Sequence, residues 1–219
     1  MSTALPSLSL APELPFKFVG GDPSLDFVNT VDWTRRGLVD DRLTGYARLL
    51  EWADAAAQLP ATRVARLRSL AAQSPRAAQD AFAAALRGRW VLRQLFEAVI
   101  AGRRSPDALG EFNVVLRKAH RQLVLAWPKR GTSSAGTPLQ WEWEEGDERL
   151  DAVLWPVVRA AAALLASEEV TQLRICGGPD CGWMYVDRSR NGLRRWCEMS
   201  VCGTREKSRR RAVRRQAER

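Results

Sequence analysis

Apolar residues recur at steps of three and four along most of the chain, the spacing that lines one face of an α-helix. The longest run opens at Ser74-Pro75 and keeps Phe82, Leu86, Trp90, Val91, Leu95 and Val99 in helical register until Gly102. Ser105-Pro106 repeats the start signal, and Leu109, Phe112, Leu116, Ala119 and Leu123 continue the pattern. Two successive helices with a short link predict an antiparallel pair. Upstream, Asp22-Pro23 joins a capping carboxylate to a proline that pre-sets the first helical φ. A short helix is expected from there to about Val31, with Leu25, Phe27 and Val28 on its apolar side. A second is expected from Asp40-Asp41, carrying Leu43, Tyr46, Ala47, Leu50 and Ala53 on one face, and a third from Thr62 to Ala72. Trp52, Trp90 and Trp155 are expected to fill core.

The pattern then changes. Gln122 to Trp127 and Pro138 to Trp143 are β-prone, the second alternating apolar with polar, and the turn-rich PKRGTSSAGT lies between them. This predicts a β-hairpin with a mobile loop. Leu150 to Ala166 reads as a last apolar helix with Pro156 tolerated near its start, and SEEVTQL as a short helix after it. After a flexible leader over residues 1–15, the body at 16–170 is mainly α with a small β-hairpin.

Composition adds little until it is mapped. The chain of 219 residues is 46% hydrophobic and 27% charged, ordinary for a folded soluble protein. The start lacks a basic region, and Pro6, Pro12 and Pro15 interrupt its apolar residues, so it does not read as a signal peptide. No apolar run approaches the roughly 18 residues that would span a bilayer. A cytoplasmic protein with no membrane partner is expected. The net charge is +9, and it is localised: Met1 to Asp187 holds 22 Lys/Arg and 22 Asp/Glu, whereas Arg188 to Arg219 holds 12 against 3. A concentrated excess of this kind suggests a polyanion partner.

The cysteines share that asymmetry. They stand as Cys176-x4-Cys181-x15-Cys197-x4-Cys202, with none before Cys176. Two close pairs form two knuckles that can meet around one tetrahedral ion. Gly177-Gly178-Pro179-Asp180 supplies turn chemistry and backbone amides for thiolate sulfur. Gly182 and Gly203 each follow a ligand, where a knuckle can need positive φ. Trp183 to Val186 is expected as one strand, Leu193 to Cys197 as its return, and Gly203 to Arg219 as a helix. Residues 171–219 then form a treble-clef-like zinc finger, β-hairpin plus helix, built on one structural Zn²⁺. Disulfides and a redox or iron–sulfur role are the competing readings of the same four thiols.

On the final helix, Lys207, Arg210, Arg211, Arg214 and Arg215 follow i, i+3, i+4, i+7, i+8 and make one basic stripe, flanked by Arg205 and Arg209. Arg188, Arg190, Arg194 and Arg195 could extend the surface. Against nucleic-acid binding stands a plain solvated basic tail. The body shows no nucleotide loop, nucleophile elbow or HExxH pattern. His120, the sole histidine, reads as a polar position beside a packed face rather than a catalyst. Asp22, Asp26 and Asn29 share a helical face and could line a ligand pocket, with capping and buried hydrogen bonding as the alternative. No catalytic residue is assigned.

At these residues the chain resembles a known family. CGWMYVDRSRNGLRRWCEMSVCGTREKSRRR is similar to the CGNR-type zinc finger, whose signature stands here as Cys202-Gly203-Thr204-Arg205 with Thr204 in the Asn place. LDFVNT, from Leu25 to Thr30, followed by LTGYARLLEWA, is similar to the start of the ABATE domain that precedes this finger. The resemblance implies a bacterial transcription regulator. Duplex DNA is then the expected partner, and the body is expected to sense a small-molecule effector or to form a homodimer. An RNA- or ribosome-associated zinc protein is the second class, and an enzyme with its pocket in the helical body the third.

Overall fold

The computed structural model describes residues 15–34, 37–127, 138–144 and 149–217. The expected leader and the turn-rich loop at 128–137 therefore fall almost wholly or wholly outside the described residues. Chain order begins with α1 (Pro23–Val28), β1 (Val31–Thr34), β2 (Gly37–Asp41), α2 (Tyr46–Ala55) and α3 (Ala61–Gln73). It continues with α4 (Pro75–Ile100), α5 (Pro106–His120), β3 (Leu123–Ala126), β4 (Gln140–Trp143) and α6 (Trp155–Leu165). β5 (Leu173–Ile175), β6 (Met184–Val186) and α7 (Thr204–Ala217) complete it. Among the described residues the molecule is mainly α, with three antiparallel two-stranded sheets, β1–β2, β3–β4 and β5–β6.

The main core lies where α1, α2, α4 and α6 meet. Phe27, Leu49, Leu50, Trp52, Phe96 and Trp155 are all sealed from solvent. Phe27 and Trp52 pack with ring centroids 5.1 Å apart. Tyr46 donates its hydroxyl to the carbonyl of Leu150 at 2.7 Å, which ties α2 to the 3₁₀ turn at Leu150–Leu154. The expected helix over 150–166 thus forms in two parts, with Pro156 in the first turn of α6, where its missing N–H costs nothing. SEEVTQL forms a 3₁₀ turn at Glu168–Gln172.

Three expectations about the body are corrected. The helix begun at Asp22 stops at Val28, and the chain then turns into a hairpin that the sequence reading missed. The helix expected from Asp40-Asp41 starts only at Tyr46, because Asp41 is engaged elsewhere. Its Oδ1 accepts from the Leu43 amide at 2.9 Å and from Arg89 on α4 at 2.8 Å. Arg89 is buried and donates also to the Thr30 hydroxyl at 2.8 Å, so one guanidinium pins both ends of the hairpin. Trp90 is not core: it is 52% exposed and lies against Trp33 at 5.6 Å.

The β3–β4 hairpin is present as expected, with Leu123 opposite Trp143 and Leu125 opposite Trp141. It is seated by Trp143, whose ring meets that of Trp155 at 5.6 Å. The expected finger hairpin, however, uses a different partner. β6 pairs with β5, which precedes the first knuckle, and 193–197 is not a strand. The returning chain gives its backbone groups to the metal knuckle instead: Gly177 N–H donates to the Arg195 carbonyl at 2.9 Å. Asp187 shapes that return by accepting from the Ser189 and Arg194 amides at 2.9 and 3.0 Å.

Finger and body share a second core. Val31 and Trp33 of β1 pack with Cys176, Trp183, Tyr185, Cys197 and Cys202. Gly182 N–H donates to the Trp33 carbonyl at 2.7 Å, and Trp183 Nε1 donates to the Val31 carbonyl at 2.9 Å. Val186 N–H reaches the Gly20 carbonyl at 2.8 Å. The missed β1–β2 hairpin is therefore the shelf on which the finger is built.

Candidate metal centre and nucleic-acid interface

The four cysteine sulfurs lie within 4.8 Å of one another, and three of the four residues are buried. Cys181 and Cys197 sulfurs are 3.7 Å apart, and Cys197 and Cys202 sulfurs 3.6 Å. A tetrahedral Zn²⁺ with Zn–S bonds of about 2.3 Å needs its sulfurs roughly 3.8 Å apart, so the geometry fits one zinc. Disulfide bonding, at about 2.05 Å, does not describe these pairs. All four positions are thiolates, which makes the zinc structural: a closed tetrahedron leaves no coordination position for substrate.

Backbone donors support the thiolates. Cys197 N–H donates to Cys176 Sγ at 3.3 Å, so an amide of the second knuckle supports a thiolate of the first. A Cβ on Gly178 would stand 3.1 Å from Cys181 Cβ and in contact with the sulfurs of Cys202 and Cys176, so glycine eases the packing of the knuckle around the ion. Gly182 and Gly203 differ from expectation. Neither has positive φ, and both are instead places of close approach. A Cβ on Gly182 would lie 2.8 Å from Trp33 Cβ, and one on Gly203 would collide with Met199 Sδ. Thr204, in the Asn place of the signature, donates its hydroxyl to the Met199 carbonyl at 3.3 Å. It thereby closes the π-helical turn at Met199–Gly203 that leads into α7.

Electrostatics sort the predicted cations. Arg205, Lys207, Arg210, Arg211, Arg214 and Arg215 are all exposed on α7, and Arg190 and Arg195 are exposed on the loop before it. Glu206 is buried and accepts from Arg209 at 2.8 and 2.9 Å and from Arg210 at 2.8 Å. Those two guanidinium groups hold its carboxyl down at about 2. They are thus partly committed within the helix, whereas Lys207 and Arg211 extend from it. Arg188 forms an exposed pair with Glu169 at 2.7 Å and donates to the Gly21 carbonyl. Arg194 does not join the basic surface. It lies over the Tyr185 ring at 4.1 Å and donates to the carbonyls of Trp196 and Val19, both at 3.0 Å.

Asp22, Asp26 and Asn29 face the seam between body and finger and serve the fold. Asp22 caps α1 by accepting from the Ser24 amide at 2.8 Å. Asp26 accepts from the Gly20 amide at 2.8 Å, and burial raises its carboxyl to about 6. Asn29 donates to the Met184 carbonyl at 2.8 Å and accepts from the Met184 amide at 2.9 Å. The cavity between α4, α5 and α6 is lined by other residues. Sequence reasoning missed Trp33 and Arg93, which complete the seam from β1 and α4. Arg93 donates to the Gly182 carbonyl, next to Cys181, with its guanidinium 5.0 Å over the Trp33 ring. Two arginines four residues apart, Arg89 and Arg93, on the apolar side of α4 were the available signal. His120 is exposed at the end of α5.

No helix among the described residues is long and apolar enough to cross a membrane. A comparison with curated proteins finds no match. Residues 172–215 match the CGNR zinc finger, and residues 21–168 match the ABATE family, described as "Putative stress-induced transcription regulator". Neither is an enzyme family. The ABATE match covers more than half of the chain, and the CGNR match coincides with the four-thiolate centre just described. The chain therefore belongs to the ABATE family and carries a CGNR zinc finger that holds one structural zinc.

Proposed function

We propose that this zinc-binding regulator acts by binding duplex DNA through its C-terminal finger, and that the helical body gates that binding in response to a small molecule. The observation that carries the reading is the exposure of Lys207, Arg211 and Arg215 along α7, beside the exposed Arg190, Arg195 and Arg205. A helix with so many like charges gains most when phosphates neutralise them. The zinc and Thr204 fix where α7 begins. Phosphate contacts of this kind orient a protein without choosing sequence, so the affinity resides here and the target site is set by other contacts.

The test is binding of fluorescent duplex DNA by the zinc-loaded chain and by a chain ending at Thr204, with structured RNA as competitor. The reading expects binding that is lost on truncation and resists RNA. Binding unaffected by truncation contradicts it, and stronger binding to RNA assigns the basic surface to the second class of partner.

A further inference from the structure

We propose that the cavity enclosed by α4, α5 and α6 is the effector site of the body, and that it takes a single aromatic ring bearing one small neutral polar group, such as a phenol. This inference rests on the reading of the body as a small-molecule sensor and gives it a place and a ligand class. The cavity measures about 200 Å³, and Phe27, Val91, Phe112 and Trp155 form much of its wall. An apolar cavity of roughly 150 Å³ stays dry and accepts benzene, so this one suits a ring with one or two further heavy atoms.

One wall residue argues that the space is maintained. Gly88 sits in the interior of the 26-residue α4, where glycine is the least favourable choice after proline. Its backbone does not require glycine: its φ is not positive, and an added Cβ would meet only Leu154 Cδ1, at 3.7 Å. No other element presses against it. What the missing side chain leaves is open volume at the cavity wall.

The rim selects the polar group. Arg87, Lys118, Glu111 and Asp151 line it, two cations against two anions, and Lys118 is already paired with Asp151. A carboxylate or an amine entering here would meet a like charge as well as an opposite one, whereas a hydroxyl can donate to one rim group and accept from another. The location suits an effector. Arg93, which holds the Gly182 carbonyl, lies on α4 with Gly88 and Val91. Phe27 in the wall precedes Asn29, which holds Met184, by two residues. An occupant therefore touches both elements that grip the zinc knuckle.

The experiment is a ¹⁹F NMR titration of the full zinc-loaded chain with 4-fluorophenol, in the absence of DNA. Saturable binding is expected in the sub-millimolar range that about eight heavy atoms can support. Gly88→Leu, which fills the cavity from its wall, should weaken it by about tenfold or more. Gly110→Leu on α5, where an added Cβ meets nothing within 4 Å, should leave it unchanged. 4-Fluorobenzoate should bind at least about tenfold more weakly than the phenol, since its charge must leave water to lie near Glu111 and Asp151 as well as the cations. Absence of saturable binding, equal binding by the Gly88→Leu chain, or equal binding of benzoate overturns the proposal. Should Gly88→Leu fail to fold, contacts from the phenol ring protons to Phe112 and Trp155 in the unaltered chain decide, and their absence overturns it. Loss of phenol binding with DNA binding intact refutes this inference alone. Loss of DNA binding with phenol binding intact refutes only the DNA reading.

Discussion

Asn29, at the C-terminal end of the short helix α1, satisfies both backbone groups of Met184 in β6, at 2.8 and 2.9 Å, across 155 positions of sequence. An amide side chain offers one donor and one acceptor side by side, so it completes a strand edge as a neighbouring strand would. The pair is buried. Asn29→Ala leaves two backbone groups unpaired inside the protein. We expect a loss of about 2–4 kcal/mol, read from urea unfolding of the zinc-loaded chain. Asn29→Asp should also destabilise, because a carboxylate cannot donate to the Met184 carbonyl. A cost below the scatter of surface substitutions would mean that the finger does not depend on this bond.

Zinc removal reaches into the body for the same reason. Trp33 belongs to the body and Trp183 to the finger, and they share the second core with three of the zinc ligands. Chelation should shift tryptophan emission to the red as this core opens, and should lower the main thermal transition by about 10 °C, the size expected for loss of several kcal/mol. The helical circular dichroism of the body should persist, since the main core does not touch the metal. A main transition unmoved by chelation would show a finger that folds apart from the body.

Asp26 gives stability an unusual pH dependence. Burial raises its carboxyl from the ordinary 3.8 to about 6, with Asp22 adding repulsion and the Gly20 amide opposing. The folded protein therefore holds this proton more tightly than the unfolded chain does. Stability from this group is full below about pH 4, declines as pH rises to about 6, and stays diminished above it. Asp26→Asn keeps an oxygen for the Gly20 amide and removes the charge. We expect it to be more stable than the unaltered protein at pH 7, by at most about 3 kcal/mol, with the difference shrinking as pH falls toward 4. Paired denaturation curves at pH 5 and 7.5 check this, and a variant less stable at pH 7.5 would contradict it.

The arginines divide by role. Arg194 is held over Tyr185 and against the carbonyls of Trp196 and Val19, whereas Arg211 projects from α7 into solvent. Arg194→Ala should destabilise the finger by about 2–3 kcal/mol, through carbonyls left without their charged donor. Arg211→Ala should leave stability within about 0.5 kcal/mol and weaken DNA binding. The reverse assignment in thermal melts and binding curves would place the interface on the loop rather than on the helix.

Legibility followed the range of the interactions. Helices α3, α4 and α5 were readable because apolar periodicity and Ser-Pro starts are local signals. The metal centre was readable because each knuckle is closed by neighbours in sequence. The β1–β2 hairpin was not, because what stops a helix at Asp41 is Arg89, 48 positions away. The partner of β6 was misassigned for a similar reason: Arg195 looks like a strand residue until Gly177 is seen to use its carbonyl. Arg194 and Trp90 show the other limit, since residue type alone predicts neither an arginine turned inward nor a tryptophan turned out.

The most direct measurement of the central claim is the slope of log affinity for duplex DNA against log salt concentration. It should be taken for the unaltered chain and for one with Lys207→Ala, Arg211→Ala and Arg215→Ala together. Each phosphate neutralised contributes about −0.9 to the slope, so a helix using several of its cations predicts a steep negative value that the triple variant reduces by about 2–3. A slope near zero, or one that the triple variant leaves unchanged, would contradict a DNA-binding role for α7.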